Sequence, residues 1–210
     1  MPKRPRSAAE ARARHEDPPA KIVAAVERLG HVGRLLLWEA AKDVEHALSP
    51  IQIQTMLFLR SHEESLARVG ELAQELMTTP ATVSEMISAL DRKGLVEKVR
   101  SEDDGRVRVL RLTEAGVDVA DGLTDWARPL EEAFSRFDDA EQAVALRVLL
   151  AAIARLQDAG VVQKSRMCFT CRYFEPAGSV RRSPRCRLLD RPLPDRSLRI
   201  DCPEHEPARS

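Results

Sequence analysis

Residues 79–116 read TPATVSEMISALDRKGLVEKVRSEDDGRVRVLRLTEAG in one-letter code, and the order of signals within them decides the fold. Thr79-Pro80 is a helix start: a hydroxyl that can cap exposed N–H groups, then a proline in the one turn where its missing N–H costs nothing. The helix it opens, Ala81 to Lys93, carries Val83, Ile87 and Leu90 at i, i+4 and i+7, a stripe for burial. Gly94 stops it. The period then switches from helical to alternating. Leu95 to Ser101 and Arg106 to Leu112 are predicted strands around Glu102-Asp103-Asp104-Gly105, whose Asp-Gly end suits a tight hairpin. Thr113 caps a further predicted helix, Glu114 to about Phe134.

Upstream, apolar residues recur at helical spacing from Ile22 to Leu48, and Ser49-Pro50-Ile51-Gln52 combines a hydroxyl cap, proline at N1 and glutamine at N3. A short helix, Val69 to Leu76, ends at the tight connection Met77-Thr78. Downstream, Asp138 with Glu141 forms a capping box opening a helix to about Gln157, stopped by Gly160. The fold class is therefore mainly α (α+β): a helix–turn–helix followed by a hairpin wing, flanked by long terminal helices. The chain divides into a basic arm (1–19), this winged-helix body (20–162) and a tail (163–210) where helical periodicity gives way to Pro, Arg and all four cysteines.

The 210 residues carry 33 Lys+Arg and 33 Asp+Glu, and the zero net charge hides an asymmetry. Residues 1–14 hold five basic groups and one acid, and 163–210 hold eleven basic and six acidic, leaving the body between them at −9. No run reaches the roughly 18–20 apolar residues of a membrane span. The basic N-terminus is not followed by the apolar segment of a secretory signal. A cytoplasmic protein is expected, in whose reducing surroundings clustered thiols point to metal or redox chemistry over disulfides.

A helix pinned by its apolar stripe offers its other face to a major groove, and a hairpin beside it can reach the backbone or a neighbouring minor groove. On the Thr79–Pro80 helix that other face carries Ala81, Thr82, Glu85, Ser88 and Arg92. Small and hydroxyl side chains permit close approach and bonds to base edges or phosphates, whereas Glu85 would repel phosphate or accept from cytosine N4. Arg106 and Arg108 share one strand face, and an arginine at the tip suits a narrow, electronegative minor groove. The basic arm is a further candidate for backbone contacts.

Gly94-Leu95-Val96-Glu97-Lys98, then Asp104-Gly105-Arg106, then Leu112-Thr113-Glu114-Ala115-Gly116 resemble the signature of the MarR family of bacterial transcription regulators, with Leu48-Ser49-Pro50-Ile51-Gln52 and Glu71-Leu72-Ala73 in matching order upstream. The resemblance spans about Ile22 to Val161. It implies a homodimer built by the terminal helices, with two winged lobes on a pseudo-palindromic duplex. It puts Thr79, Ala81, Thr82 and Glu85 on recognition-helix positions and Asp104 and Arg106 on a wing pair in which the Asp helps hold the Arg. It also implies a pocket for a small organic effector between dimerisation helices and lobe, which Trp38 and His31 could line, with helix packing the alternative role for both. Two positions depart from the family's habit: Glu85, where a base is common, and Arg68, where a hydroxyl cap often opens the preceding helix.

In the tail, Cys168-x-x-Cys171 aims two thiols at one point, and Cys186 and Cys202 can complete a four-ligand shell. So little apolar content cannot fold 163–210 by burial alone, and a bound metal would supply the deficit. Zinc takes Cys₄ or Cys₃His sets and is slightly favoured. Cys202-Pro203 also resembles the end of an iron–sulfur ligand set, and His205 could replace one thiol. No nucleotide-binding glycine loop, HExxH or hydrolase elbow occurs, so no enzyme is expected. A dimeric regulator of double-stranded DNA competes with a winged-helix interaction module whose zinc-stabilised tail docks proteins.

Overall fold

Pro18 and Pro50 each begin a helix where a missing N–H is harmless. In a computed structural model of the chain, described for residues 17–42, 44, 46–62, 64–101, 106–162, 166–177 and 183–208, these helices are α1 (Pro18–Lys42) and α2 (Pro50–Ser61). Gln52 Oε1 accepts the Ser49 N–H at 3.1 Å, the reciprocal half of the expected capping box. A 3₁₀ turn (Glu64–Leu66) leads to α3 (Val69–Glu75) and α4 (Pro80–Arg92). Met77 bridges α3 and α4 in the left-handed region at φ 48°.

Strands β1 (Val96–Arg100) and β2 (Arg108–Leu112) pair antiparallel with Val96 opposite Leu112 and Arg100 opposite Arg108. The wing is thus where the alternating pattern put it. Its outer turn, residues 102–105, lies outside the described residues, and Asp104 with it; the arm's residues 1–16 lie outside them as well. One core joins these elements: Leu37, Ile53, Met56, Leu72, Val83, Ile87, Leu90, Leu95 and Leu123 are at most 2% exposed.

The helix predicted from Glu114 to Phe134 is in fact divided. It comprises α5 (Glu114–Gly122), a 3₁₀ turn (Thr124–Ala127) and α6 (Arg128–Phe134). Gly122 ends the first part, and Pro129, which lacks the N–H a continuous helix needs there, sits in the first turn of the second. Helix α7 (Asp139–Asp158) opens on the expected box: Asp138 Oδ1 accepts from the Ala140 and Glu141 N–H groups, and Glu141 Oε2 from the Asp138 N–H.

The tail folds into β3 (Phe174–Glu175), β4 (Arg185–Cys186) and β5 (Arg191–Pro192), antiparallel in that order. It is less separate than its composition suggests. Leu146, Leu150 and Ile153 of α7, at i, i+4 and i+7, share a second core with Met167, Leu193 and Leu198. An Arg147–Asp195 pair at 2.9 Å borders it. The tail's few apolar residues therefore find burial on a helix of the body.

Candidate nucleic-acid interface and cysteine cavity

Helix α4 is held from within by Val83, Met86, Ile87 and Leu90, all buried. Thr55 on α2 donates its hydroxyl to Met86 Sδ at 3.1 Å. The opposite face is exposed, and Ala81, Thr82, Glu85, Ser88 and Arg92 all lie on it, as the spacing predicted. Thr79 caps the helix, its Oγ1 accepting the Thr82 N–H at 3.1 Å and lying 2.9 Å from Thr82 Oγ1. Ser88 Oγ donates to Ser84 O at 2.8 Å, which leaves its oxygen lone pairs facing solvent as acceptors. Arg68 stands at the start of α3 in extended backbone with no side-chain cap, so that helix begins without the hydroxyl expected there.

The end of α4 explains why the next motif has its spacing. Gly94 at φ 70° gives its N–H to Asp91 O while the Leu95 N–H reaches back to Leu90 O, a Schellman closure. Thr113 then ties α5 to this corner. Its hydroxyl donates to Gly94 O at 2.6 Å, its N–H donates to Leu95 O, and its Oγ1 accepts the Gly116 N–H at 3.0 Å. A Cβ on Gly116 would lie 2.0 Å from Leu95 O. Leu-Thr-x-x-Gly is thus a clamp: the threonine binds the end of α4, and the glycine lets α5 press against it.

Towards the turn of the hairpin Arg100, Arg106 and Arg108 are exposed. Residue-by-residue reading found Arg106 and Arg108 but missed Arg100, which only the register places directly opposite Arg108. Like charges facing each other across two strands destabilise a hairpin by themselves, so the pair makes sense where an anion meets it. The wing's base is bound to the lobe: the Leu110 N–H donates to Ala67 O at 2.7 Å and Arg111 Nη2 to Glu64 Oε2 at 3.1 Å.

Residues 47–107 match the model of the MarR family. Over this stretch the chain is similar to the MarR family of transcription regulators. A curated relative, an uncharacterised HTH-type transcriptional regulator, YhbI, of Bacillus subtilis, is 26% identical over 142 residues, covering 66% of this chain and 92% of its own. Among solved structures, the Staphylococcus aureus MepR–DNA complex aligns with TM-score 0.52 and 21% identity over 64% of this chain and 96% of its own. A MarR family protein from Bacillus stearothermophilus gives 0.53 and 22% over 66% and 94%. At these identities the structural likenesses speak for the fold alone, a MarR-type winged helix.

The effector candidates do not meet in this MarR fold. Trp38 is half exposed under the Lys42 ammonium, and His31 is exposed beside Arg34. A groove of about 510 Å³ does open between α1 and α5, but Ala40, Val44, His46, Val119 and Trp126 line it instead.

All four cysteines are free thiols, and all four line one cavity of about 20 Å³ together with Leu193 and Glu204. Cys168 Sγ accepts the Arg199 N–H at 3.2 Å, and Arg199 Nη1 lies 3.6 Å from Cys202 Sγ. Burial pushes the Cys168 thiol up, and the neighbouring Cys171 and Cys186 sulfurs act in the same direction against the Arg199 N–H. Burial also raises Cys202, opposed by Arg199. His205 is turned elsewhere: its Nε2 is 3.0 Å from Thr170 Oγ1, and burial lowers its pKa. Among the described residues no group of three or more His, Cys, Asp or Glu side chains is already set at metal-holding geometry. No helix among them is long and apolar enough to cross a membrane.

Proposed function

We propose that this chain is a MarR-type regulator, a homodimer that reads double-stranded DNA with α4 and grips it with the hairpin. The observation that carries this reading is the exposed polar face of α4, Ala81, Thr82, Glu85 and Ser88, on the same core as a hairpin ending in three exposed arginines. Thr79 and Thr82 at the N-terminus of α4 suit phosphate or base-edge contacts there. Dimerisation is supported by the apolar side chains α1 and α7 leave in solvent: Ile22, Val26, Leu29 and Leu35 on one, Val144, Val148 and Leu156 on the other, each over 40% exposed. A second copy covering both helices would remove that area from water. The α1–α5 groove is the place for an organic effector. The test is photo-cross-linking: benzoylphenylalanine at position 82 joins a duplex from upstream of the protein's own gene, and the same probe at position 135, on α6's far end, does not. Cross-linking from 135 alone would refute the assignment of α4.

For the tail we propose a Cys₄ metal site formed by Cys168, Cys171, Cys186 and Cys202. Its support is their shared cavity, their N–H and guanidinium partners, and the small tail core, which a bound ion would brace. Zinc, which takes Cys₄ sets in closed structural sites, is favoured over an iron–sulfur cluster. Cys168→Ser with Cys171→Ser is expected to lower bound zinc from one per chain to none and to render residues 166–208 protease-sensitive. Unchanged zinc content, measured by atomic emission, would refute the site.

A further inference from the structure

Among the described residues the tail touches the winged lobe through a polar cluster that DNA reading does not use. Asp201, immediately before Cys202, places one carboxylate oxygen on His62 Nε2 at the end of α2 and the other 3.0 Å from Arg166 Nε. His62 Nδ1 is 2.8 Å from Phe58 O, and its ring stacks on Phe58 with centroids 4.0 Å apart and planes 16° apart. The Arg166 guanidinium lies over the same Phe58 ring at 5.5 Å. Arg166 and the cysteine loop form one unit, because Arg166 O accepts the Cys202 N–H at 2.7 Å. His62 and Arg166 side chains are only 17% and 16% exposed.

Two residues beyond His62 begins the segment that carries the wing, where Glu64 and Ala67 bond β2. A cysteine of the cavity is thereby linked to the hairpin in two steps: Asp201, next to Cys202, contacts His62, and Glu64 and Ala67, a few residues further along the chain, bond β2. We infer that Asp201 is a latch by which occupancy of the four-cysteine site governs the DNA-reading lobe. This rests on the metal reading of the cysteines. Zinc draws Cys202 inward with the other three and fixes Asp201 where it holds His62. The lobe is then braced against α7 and binds DNA without the cost of ordering itself. Without the ion the Arg199–Glu204 loop loses its anchor, Asp201 no longer holds its position, and the end of α2 is released.

Full-length protein stripped by chelator under reductant, then reloaded with Zn²⁺, tests this by amide hydrogen exchange and DNA titration. Reloading is expected to protect amides 58–67 at least about tenfold and to tighten DNA binding at least about fivefold. Asp201→Asn is expected to bind zinc at one per chain yet show neither change. His62→Asn is a second variant with the same expectation should Asp201→Asn fail to fold. Zinc bound with equal affinity for DNA in loaded and stripped protein, or tighter binding by the stripped form, overturns the latch alone. No zinc uptake by the wild type overturns the cysteine reading and the latch together.

Discussion

Gly116→Ala is expected to lower the melting temperature of the winged lobe by about 6–12 °C. The added Cβ would stand 2.0 Å from Leu95 O and 2.9 Å from Leu95 C, and both are backbone atoms. Neither can rotate away. Leu95 is fully buried, its N–H closes the end of α4, and its carbonyl accepts from Thr113. Relief therefore requires α5 to lift from the corner it clamps, at about 3 kcal/mol or more, the upper range for overpacking a tight site. Gly70→Ala is the control. A Cβ there meets nothing within 4 Å, and alanine favours a helix over glycine, so Tm should hold or rise. Circular dichroism melts of both variants decide the matter. Coincident melting of Gly116→Ala and wild type would mean that the clamp is absent.

Arg106→Ala is expected to weaken DNA binding by about ten- to a hundredfold, the range for losing a charged groove contact, while leaving the dimer intact. The residue is exposed at the hairpin's end, beyond the strand pairs that stop at Arg100 and Arg108. The candidate dimer surfaces lie on α1 and α7, which carry no part of the hairpin. Anisotropy titration and sedimentation of the variant measure the two properties separately. Dissociation to monomers would show that the hairpin belongs to the subunit interface instead.

Local signals carried most of the reading. Thr79, Gly94, Asp138 and Gly160 each act within a few residues along the chain, through a cap or a left-handed turn, as does the cap Thr113 gives Gly116, so this chemistry is visible without tertiary context. The face of α4 was equally legible because a buried stripe at helical spacing fixes the opposite side. The division at Leu123 also has local causes, Gly122 and Pro129, which the helical periodicity across them conceals. Features made by distant partners were not legible. Nothing local joins His62 to Asp201, 139 residues away. The tail's seat on α7 depends on Leu146, Leu150 and Ile153 meeting Met167, Leu193 and Leu198, which lie far along the chain. Arg100 acquires meaning only from the register that sets it against Arg108. The cysteines show both cases: Cys168 and Cys171 are close by spacing, whereas Cys186 and Cys202 join them only through the fold.

The most direct measurement is an anisotropy titration of a labelled duplex from upstream of the protein's own gene, against an unrelated duplex, at about 50 and about 200 mM salt. Saturation is expected at two chains per specific duplex, with preference for it over the unrelated one and at least about a tenfold loss of affinity at the higher salt. Equal binding of both duplexes, or no binding at the lower salt, would contradict it.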